Sequence, residues 1–480
     1  MLFNSTAFII FIFAVTLLYY LVPLIIKIKG VQSWILILSG LFFYAYLNPF
    51  YAISLLICCI FNELIVLGMY GQYKRQNIKG VKIFAGSAIA VNVFIVFFFK
   101  YSSLFSGLLL GEGDVTSFLA GLPLPLGISF YIFHGISMLA DINGNTRGFF
   151  EKTGRWDRFV GIMCYMTFFA NSVSGPVTKY NDFEPQIKRH YFKEIDLKKV
   201  FEYLLLGYFF KVCVADNMQN YTIILTEKQF GGVSPIAVIV QMFGYSCQIF
   251  ADFAGYSYIA IGIALLLGYK LPENFNFPYI SKSITEFWKR WHISLSSWLK
   301  QYVYFSLGGN RKGKIRTYFN LMAVMLIGGI WHGADWKYLL WGGLHGLLLV
   351  VERIFINLTN KKQNEKKKEL FVVSIIRIFI TFIIVSWLLL FFKMDGYEAV
   401  FSATRQMFTG WEDMMAMDTT GVLMACFYMM PVFAFHGVYI AKEKGCLFTG
   451  KNWKYIFYAM MILALLLNRG TSDAFIYFQY

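Results

Sequence analysis

The chain has 480 residues, of which 58% are hydrophobic and 15% are charged, and its mean hydropathy is +0.57. This composition excludes an ordinary water-facing surface, and the 40 glycines and 10 prolines are too few for a collagen-like chain. The net charge of +16 would suit nucleic-acid binding, but the basic residues lie in short loops between apolar runs and therefore report on membrane topology. We expect a polytopic membrane protein that binds no nucleic acid.

Apolar windows recur along the whole chain and predict an all-α protein with roughly ten to twelve membrane helices. A spanning helix needs about 20 predominantly apolar residues, and the candidate windows are 5–26, 32–47, 50–69, 83–99, 122–140, 159–175, 200–215, 233–268, 318–330, 336–356, 370–392, 419–440 and 453–467. The windows at 122–140, 159–175 and 318–330 contain Pro, Gly or polar side chains. We expect some of these three to be re-entrant segments lined by protein or water.

The loop charges predict an N-terminus outside the cell. The first, third and fifth predicted spans are followed by basic loops, which carry Lys27 and Lys29; Lys74, Arg75, Lys79 and Lys82; and Arg147, Lys152, Arg155 and Arg158. Short basic loops stay in the cytoplasm, whereas the intervening loop 111–114 carries Glu112 and Asp114. The first apolar run has no basic leader and no small-residue cleavage site, so we expect it to be a retained helix.

We expect a single membrane domain covering residues 1–480. The most polar stretch, 359–369, is short enough to be a solvated loop between two spans. Neither self-similar halves nor matched interrupted helices are visible, which weakens a secondary-transporter interpretation. The seven cysteines show no C-x-x-C pair and no metal-ligand spacing, so they are expected to be small core hydrophobes.

Residues 270–316 are unusually polar for a segment between apolar runs, and they predict an amphipathic stretch at the membrane interface. A helix starting near Ser283 has the capping-box pattern, with Glu286 three residues later. Helical spacing then places four side chains on one stripe: Trp288, Trp291, His292 and Leu295.

His332 is the strongest candidate for a chemical role. It lies in a Gly-Gly-Ile-Trp-His-Gly string after the apolar run 321–327 and before another predicted span. An ionisable side chain at membrane depth is costly, which favours a functional site facing a cavity, and an imidazole suits proton abstraction from a hydroxyl. The alternative is a core histidine that ties two helices together by a hydrogen bond.

The other histidines are weaker candidates on the sequence alone. His292, on the amphipathic segment, is either a second member of the site or an interfacial anchor among Trp and Arg residues. His345 is a candidate for helix packing, and His134, His190 and His436 are assigned to packing or loops.

Asp252 is the other charge embedded in an apolar run, and it therefore needs a partner. It either orients a catalytic group or forms a buried pair with Arg290 or Lys289, and we favour the structural role because buried carboxylates usually serve as paired anchors. The chain has no G-x-S-x-G, Walker-type, H-E-x-x-H or dinucleotide-binding string, so neither a serine nucleophile, a metal site, a bound cofactor nor an ATPase is predicted.

Several strings in order resemble the alginate O-acetylation branch of the membrane-bound O-acyltransferases. They are 125–130 (PLGISF), 215–217 (ADN), 252–257 (DFAGYS), 272–275 (PENF), 278–281 (PYIS), 283–299 (SITEFWKRWHISLSSWL), 307–311 (LGGNR), 329–334 (GIWHGA) and 475–479 (FIYFQ). The resemblance covers nearly the whole chain. It departs from the branch's usual string at Ala254, where Ser is common, and at Tyr258, where a second Asp is common.

The resemblance implies a ring of membrane helices around a thin centre, with a funnel that reaches His332 as the catalytic histidine and His292 as the second family histidine. Trp331, Trp288, Asn274, Glu286, Arg290 and Asp252 are expected to shape or support the site. The implied reaction passes an acyl group, with acetyl-CoA as the expected donor, across the bacterial cytoplasmic membrane to a polysaccharide or to an extracytoplasmic partner protein.

Two alternatives stay open at the level of sequence. One is transfer of D-alanine to teichoic acid, as in a sister branch of the family. The other is a non-enzymatic component that exports or scaffolds a glycan and leaves the transfer to a separate enzyme. A scaffold would tolerate replacement of His332 by Gln, whereas an acyltransferase would not.

Overall fold

A computed structural model describes residues 3–110, 127–152, 154–171, 175–228, 232–359, 370–409, 419–443 and 451–467, with a few single positions between them. Every regular element in these ranges is helical, which confirms the all-α prediction. Glu112, Leu126, Cys446, the lysines of loop 359–369 and the string 475–479 lie outside the described residues. The helices form two compact units, Met1–Leu204 with Ile259–Pro272, and Leu205–Tyr258 with Glu273–Tyr480.

The first unit is built from helices α1 to α8 and from parts of α9 and α11, which contribute residues to both units. Consecutive helices from α1 to α5 pack side by side, and α7 packs on α2 and α3. The elements are α1 (Thr6–Ile25), α2 (Val31–Leu47), α3 (Pro49–Lys74), α4 (Ile78–Leu110), α5 (Ile128–Gly144), α6 (Thr146–Lys152), α7 (Arg155–Thr167), α8 (Tyr180–Phe183), 3₁₀ turns at Glu184–Gln186 and Phe192–Glu194, α9 (Leu197–Tyr208) and α11 (Pro235–Leu266).

The second unit holds the polar middle of the chain and the helices that follow it. Its elements are a π-helical turn (Phe209–Ala215), α10 (Asp216–Met218), 3₁₀ turns at Gln219–Tyr221, Ile223–Thr226 and Pro278–Ile280, α12 (Ile284–Arg290), α13 (Ile293–Leu299), a second π-helical turn (Lys300–Tyr304), α14 (Lys314–His332), α15 (Trp336–Leu358), α16 (Phe371–Lys393), α17 (Tyr397–Thr409), α18 (Thr419–Glu443) and α19 (Lys451–Leu467).

Seven helices in the described part of the chain are long and apolar enough to cross a bilayer, so this is a multi-pass membrane protein. They are Thr6–Ile25, Pro49–Lys74, Ile78–Ser102, Pro235–Leu266, Trp336–Leu358, Phe371–Lys393 and Thr419–Glu443, and two shorter apolar helices cover Val31–Leu47 and Trp453–Leu467. The total of ten to twelve passages and the single domain stay predictions.

Helices α14 and α15 form a closely packed hairpin that fixes the position of His332. A Cβ atom on Gly329 would collide with the Tyr338 carbonyl oxygen, and one on Gly342 would collide with the Met325 carbonyl oxygen. The two backbones therefore touch where no side chain separates them, as small residues allow between membrane helices. His332 is the last residue of α14, three residues beyond this contact.

The single helix predicted from Ser283 is wrong, because the segment is broken into α12 and α13 at His292. His292 adopts the left-handed conformation (φ 44°, ψ 52°), which ends the helical periodicity of the predicted stripe. The helix start is confirmed, since the Ser283 hydroxyl accepts the Glu286 N–H at 3.2 Å. The Glu286 carboxylate instead accepts the N–H of Lys282 at 2.9 Å, one residue before the N-cap.

Candidate active site

The imidazole of His332 is enclosed by aromatic rings. It is 6% exposed and lies at the C-terminal end of α14. Its ring centroid is 4.8 Å from that of Trp331, 5.2 Å from Trp341 on α15 and 4.9 Å from Phe392 on α16. These apolar walls exclude water from most of the ring, so a proton transfer at its nitrogens would take place in a medium of low polarity.

His292 is held by the side chain of Asn274. The His292 Nδ1 and Asn274 Oδ1 atoms are 3.1 Å apart, and the backbone N–H of Ser294 also donates to Oδ1, at 3.3 Å. A backbone N–H can only donate, so the Asn274 atom at this point is the oxygen, and His292 Nδ1 must carry a proton. In the neutral imidazole the lone pair then lies on Nε2.

Asn274 connects three segments of the second unit. Its Oδ1 accepts a bond from the Ser294 hydroxyl at 2.8 Å, and its Nδ2 donates to the Ser257 hydroxyl on α11 at 3.1 Å. Its backbone carbonyl accepts the N–H of Ile293 at 2.9 Å. The residue is buried, so each of these bonds is made in a site where leaving a polar group unpaired is expensive.

Trp331 lies between the two candidate histidines. Its ring centroid is 6.3 Å from that of His292 and 4.8 Å from that of His332. His292 also packs edge-on against Phe253, with 4.6 Å between the two ring centroids. The structure therefore brings four of the predicted site residues together, His292, His332, Trp331 and Asn274; their chemical roles stay predictions.

Trp288 reaches the same cluster through α15. Its indole Nε1 donates to His345 Nδ1 at 3.3 Å, and the His345 ring is 4.9 Å from Trp341, which in turn contacts His332. His345 therefore supports the wall of the site, in keeping with the packing role expected for it.

Asp252 has a different partner from the one predicted. Its carboxylate is 2.7 Å from the ammonium nitrogen of Lys211, and Asp216 is 2.7 Å from the same nitrogen. The prediction of Arg290 or Lys289 was wrong, although the expectation of a buried paired anchor is confirmed. All three side chains are 2–3% exposed, so this charge cluster ties α11 to the π-helical turn and to α10.

The pair Glu286 and Arg290 braces α12. The Arg290 Nε atom donates to Glu286 at 2.9 Å, and its Nη1 donates to the Asn276 carbonyl at 3.1 Å. The Asn276 N–H returns a bond to the Arg290 carbonyl at 2.9 Å. These contacts hold the chain around Asn276 beside the end of α12, which sets the approach of Asn274 to His292.

Sequence reasoning missed Lys211, Trp341 and Phe392. The sequence does contain a signal for Lys211, which is a lone cation in the apolar window 200–215 and therefore needs a partner for the same reason as Asp252. The two aromatic residues gave none, since an aromatic side chain in an apolar helix is ordinary. Among the described residues no group of three or more His, Cys, Asp and Glu side chains is suited to hold a metal ion.

Comparison with known proteins identifies the family of this chain and several of its relatives. Residues 158–394 match the model of the membrane-bound O-acyltransferase family. Probable alginate O-acetylase of Pseudomonas aeruginosa is 32% identical over 412 residues, which cover 84% of this chain and 75% of that protein. The same-named protein of Pseudomonas putida is 36% identical over 271 residues, or 55% of this chain and 54% of that protein, so this match spans about half of its length.

Two further relatives have different names. Peptidoglycan O-acetyltransferase of Helicobacter pylori is 31% identical over 436 residues, covering 85% of this chain and 80% of that protein. Teichoic acid D-alanyltransferase of Bacillus subtilis is 31% identical over 264 residues, covering 51% and 61%. The chain belongs to the membrane-bound O-acyltransferase family.

Proposed function

We propose that the chain transfers an acetyl group to hydroxyl groups of an extracytoplasmic polysaccharide, with His332 as the general base. The observation that carries this proposal is the packing of both candidate histidines on the single ring of Trp331, inside the aromatic cluster of the second unit. The names of the alginate and peptidoglycan relatives support acetyl as the transferred group.

In the proposed reaction the imidazole of His332 takes the proton of the acceptor hydroxyl. The hydroxyl oxygen then bonds to the carbonyl carbon of an acetyl thioester, the carbon–sulfur bond breaks, and the thiolate leaves. The bond between Nδ1 and Asn274 fixes the orientation of His292. Its Nε2 lone pair then accepts a hydrogen bond from the acceptor polysaccharide or from a hydroxyl group of a partner protein. Trp331 packs on both imidazoles and helps to exclude water from them, and Trp288 supports the site indirectly through Trp341, which contacts His332.

The donor and the surroundings of the reaction are part of the same proposal. Acetyl-CoA enters from the cytoplasm through a funnel within a ring of helices, and the acceptor is a polysaccharide or an extracytoplasmic acyltransferase that carries the group onward. The chain lies in the bacterial cytoplasmic membrane with its N-terminus outside, as its loop charges predict.

The test compares the O-acetyl content of surface glycans in cells with the wild-type chain, without the chain, and with His332→Ala or His332→Gln at matched membrane abundance. Loss of an essential general base removes roughly 10²- to 10⁴-fold of the rate, so both variants should resemble cells without the chain. The control is His436→Gln, which alters another buried histidine of the second unit, bonded to its own helix at the Val432 carbonyl.

Other outcomes identify the alternatives. Full acetylation with His332→Gln would refute the mechanism and favour a scaffold that only exports the glycan. The match to the teichoic acid D-alanyltransferase makes D-alanine the second candidate group. Feeding labelled acetate and labelled D-alanine in parallel separates the two, because only one label should appear on the envelope in a His332-dependent way.

A further inference from the structure

A basic cavity of about 940 Å³ lies within the first unit. Its wall is formed by the end of α1 and the connection to α2, by the start of α7, and by residues 184–189. Its lining includes five basic residues, Lys27, Lys29, Arg158, Lys188 and Arg189, and two acidic residues, Asp157 and Glu184. The lining therefore carries excess positive charge and favours an anionic ligand.

The exposed lysines of the cavity present their charge to a ligand, whereas its two arginines are held by the protein. Lys29 forms an ion pair with Asp157 at 3.1 Å. Both side chains are exposed to solvent, so the pair reduces the positive charge of the cavity only a little. The buried guanidinium of Arg158 lies over the ring of Tyr70, 4.6 Å from its centroid, and donates to the Phe150 carbonyl at 3.4 Å, so it adds positive charge to the wall from a fixed position. Lys27 and Lys188 are exposed at the cavity.

Buried hydrogen bonds hold the wall of the cavity in place. The Gln32 side chain donates to the Tyr19 carbonyl at 3.1 Å and to the His190 carbonyl at 2.9 Å, and accepts the His190 N–H at 2.9 Å. Arg189 donates to the Pro23 carbonyl at 3.2 Å. The segment before His190 is thereby fixed beside the start of α2, whose helix dipole adds partial positive charge to the same wall.

An apolar surface runs directly into the cavity. Leu17, Leu21 and Leu24 are exposed along α1, and Ile25 at its end is 82% exposed. Leu24 itself lines the cavity, together with Trp156, an aromatic residue of the kind that lies at headgroup level. A ligand that fills this site while covering the exposed leucines needs a phosphate-sized anion and hydrocarbon chains.

We propose that this cavity binds the phosphate headgroup of an anionic phospholipid, with its acyl chains along the exposed face of α1. In the topology predicted by the loop charges, the lipid belongs to the cytoplasmic leaflet, where anionic headgroups meet basic pockets between helices. The phosphates of coenzyme A share this chemistry but lack hydrocarbon chains for the leucine surface.

The experiment measures binding of radiolabelled phosphatidylglycerol to the purified full chain in neutral detergent micelles, with phosphatidylcholine as the neutral lipid. The variant carries Lys27→Gln and Lys188→Gln. Its matched control carries Lys79→Gln and Lys82→Gln, two exposed lysines at the start of α4 in a segment that is also predicted to be cytoplasmic. Each cation near a headgroup contributes about fivefold, so the cavity variant should bind roughly 25-fold more weakly and the control about as well as wild type.

Three results would overturn the proposal. Equal weakening in both variants would mean general electrostatic attraction, and no weakening in either would mean that the cavity is not the site. Binding of labelled coenzyme A that is lost in the cavity variant, with phosphatidylglycerol binding unchanged, would assign the cavity to the phosphates of an acyl donor.

Discussion

Replacement of Lys211 by Met should destabilise the second unit far more than replacement of Asp252 by Asn. The ammonium nitrogen of Lys211 lies 2.7 Å from both Asp216 and Asp252, and all three side chains are nearly inaccessible to solvent. Lys211→Met leaves two buried carboxylates without their shared cation, which costs about 3–5 kcal/mol. Asp252→Asn leaves one cation with one anion and weakens a single hydrogen bond, a change of about 1 kcal/mol.

The assay is thermal unfolding of the detergent-purified chain, followed by the fraction that remains monodisperse after heating. For a unit of this size each kcal/mol corresponds to about 2–4 °C, so Lys211→Met should lower Tm by roughly 10 °C and Asp252→Asn by a few degrees. Lys199→Met, at an exposed position of α9, controls for the chemical change itself. If Lys211→Met unfolds at the same temperature as Asp252→Asn, the charge-balance reasoning is refuted.

Two predictions concern the site and the helix hairpin. Asn274→Leu should abolish activity, whereas Asn274→Asp should retain part of it. A carboxylate beside Nδ1 of His292 stabilises the imidazolium, so the acid limb of the pH profile of Asn274→Asp should move to higher pH. Identical pH profiles for wild type and Asn274→Asp would contradict the assigned role. Gly342→Val should cost about 1–3 kcal/mol and lower turnover, since its Cβ would meet the Met325 carbonyl. Gly343→Ala, whose Cβ would find an ordinary contact at 3.7 Å, should be tolerated, and equal thermal stability of these two glycine variants would argue against the close contact.

The membrane helices were predictable because the bilayer imposes one simple rule on length and polarity. The window 5–26 corresponds to Thr6–Ile25, and the window 370–392 to Phe371–Lys393. Caps are also local, so the N-cap of α12 at Ser283 followed from the pattern of four consecutive residues. The same locality explains the choice of His332, which stands out by its sequence surroundings alone.

The break at His292 and the partner of Asp252 depend on tertiary contacts that no local pattern contains. The left-handed conformation of His292 is held by bonds to Asn274, 18 residues away in the chain. Lys211 is 41 residues from Asp252 and reaches it because a glycine, Gly255, lets α11 approach the π-helical turn closely; a Cβ there would lie 2.9 Å from the Lys211 backbone nitrogen. The cost of burying a charge predicts that a partner exists, but only the packing of helices decides which one.

The bonds around Asn274 also determine how this part of the molecule can move. Main-chain bonds join Asn276 to Arg290 and Asn274 to Ile293, and side-chain bonds join Asn274 to His292 and Ser294. Hydrogen bonds thus join residues 274–276 to residues 290–294 on both sides of the His292 imidazole. A displacement on substrate entry therefore moves His292 and Asn274 as one body. Nδ1 keeps its proton and its bond to Asn274 while Nε2 changes position.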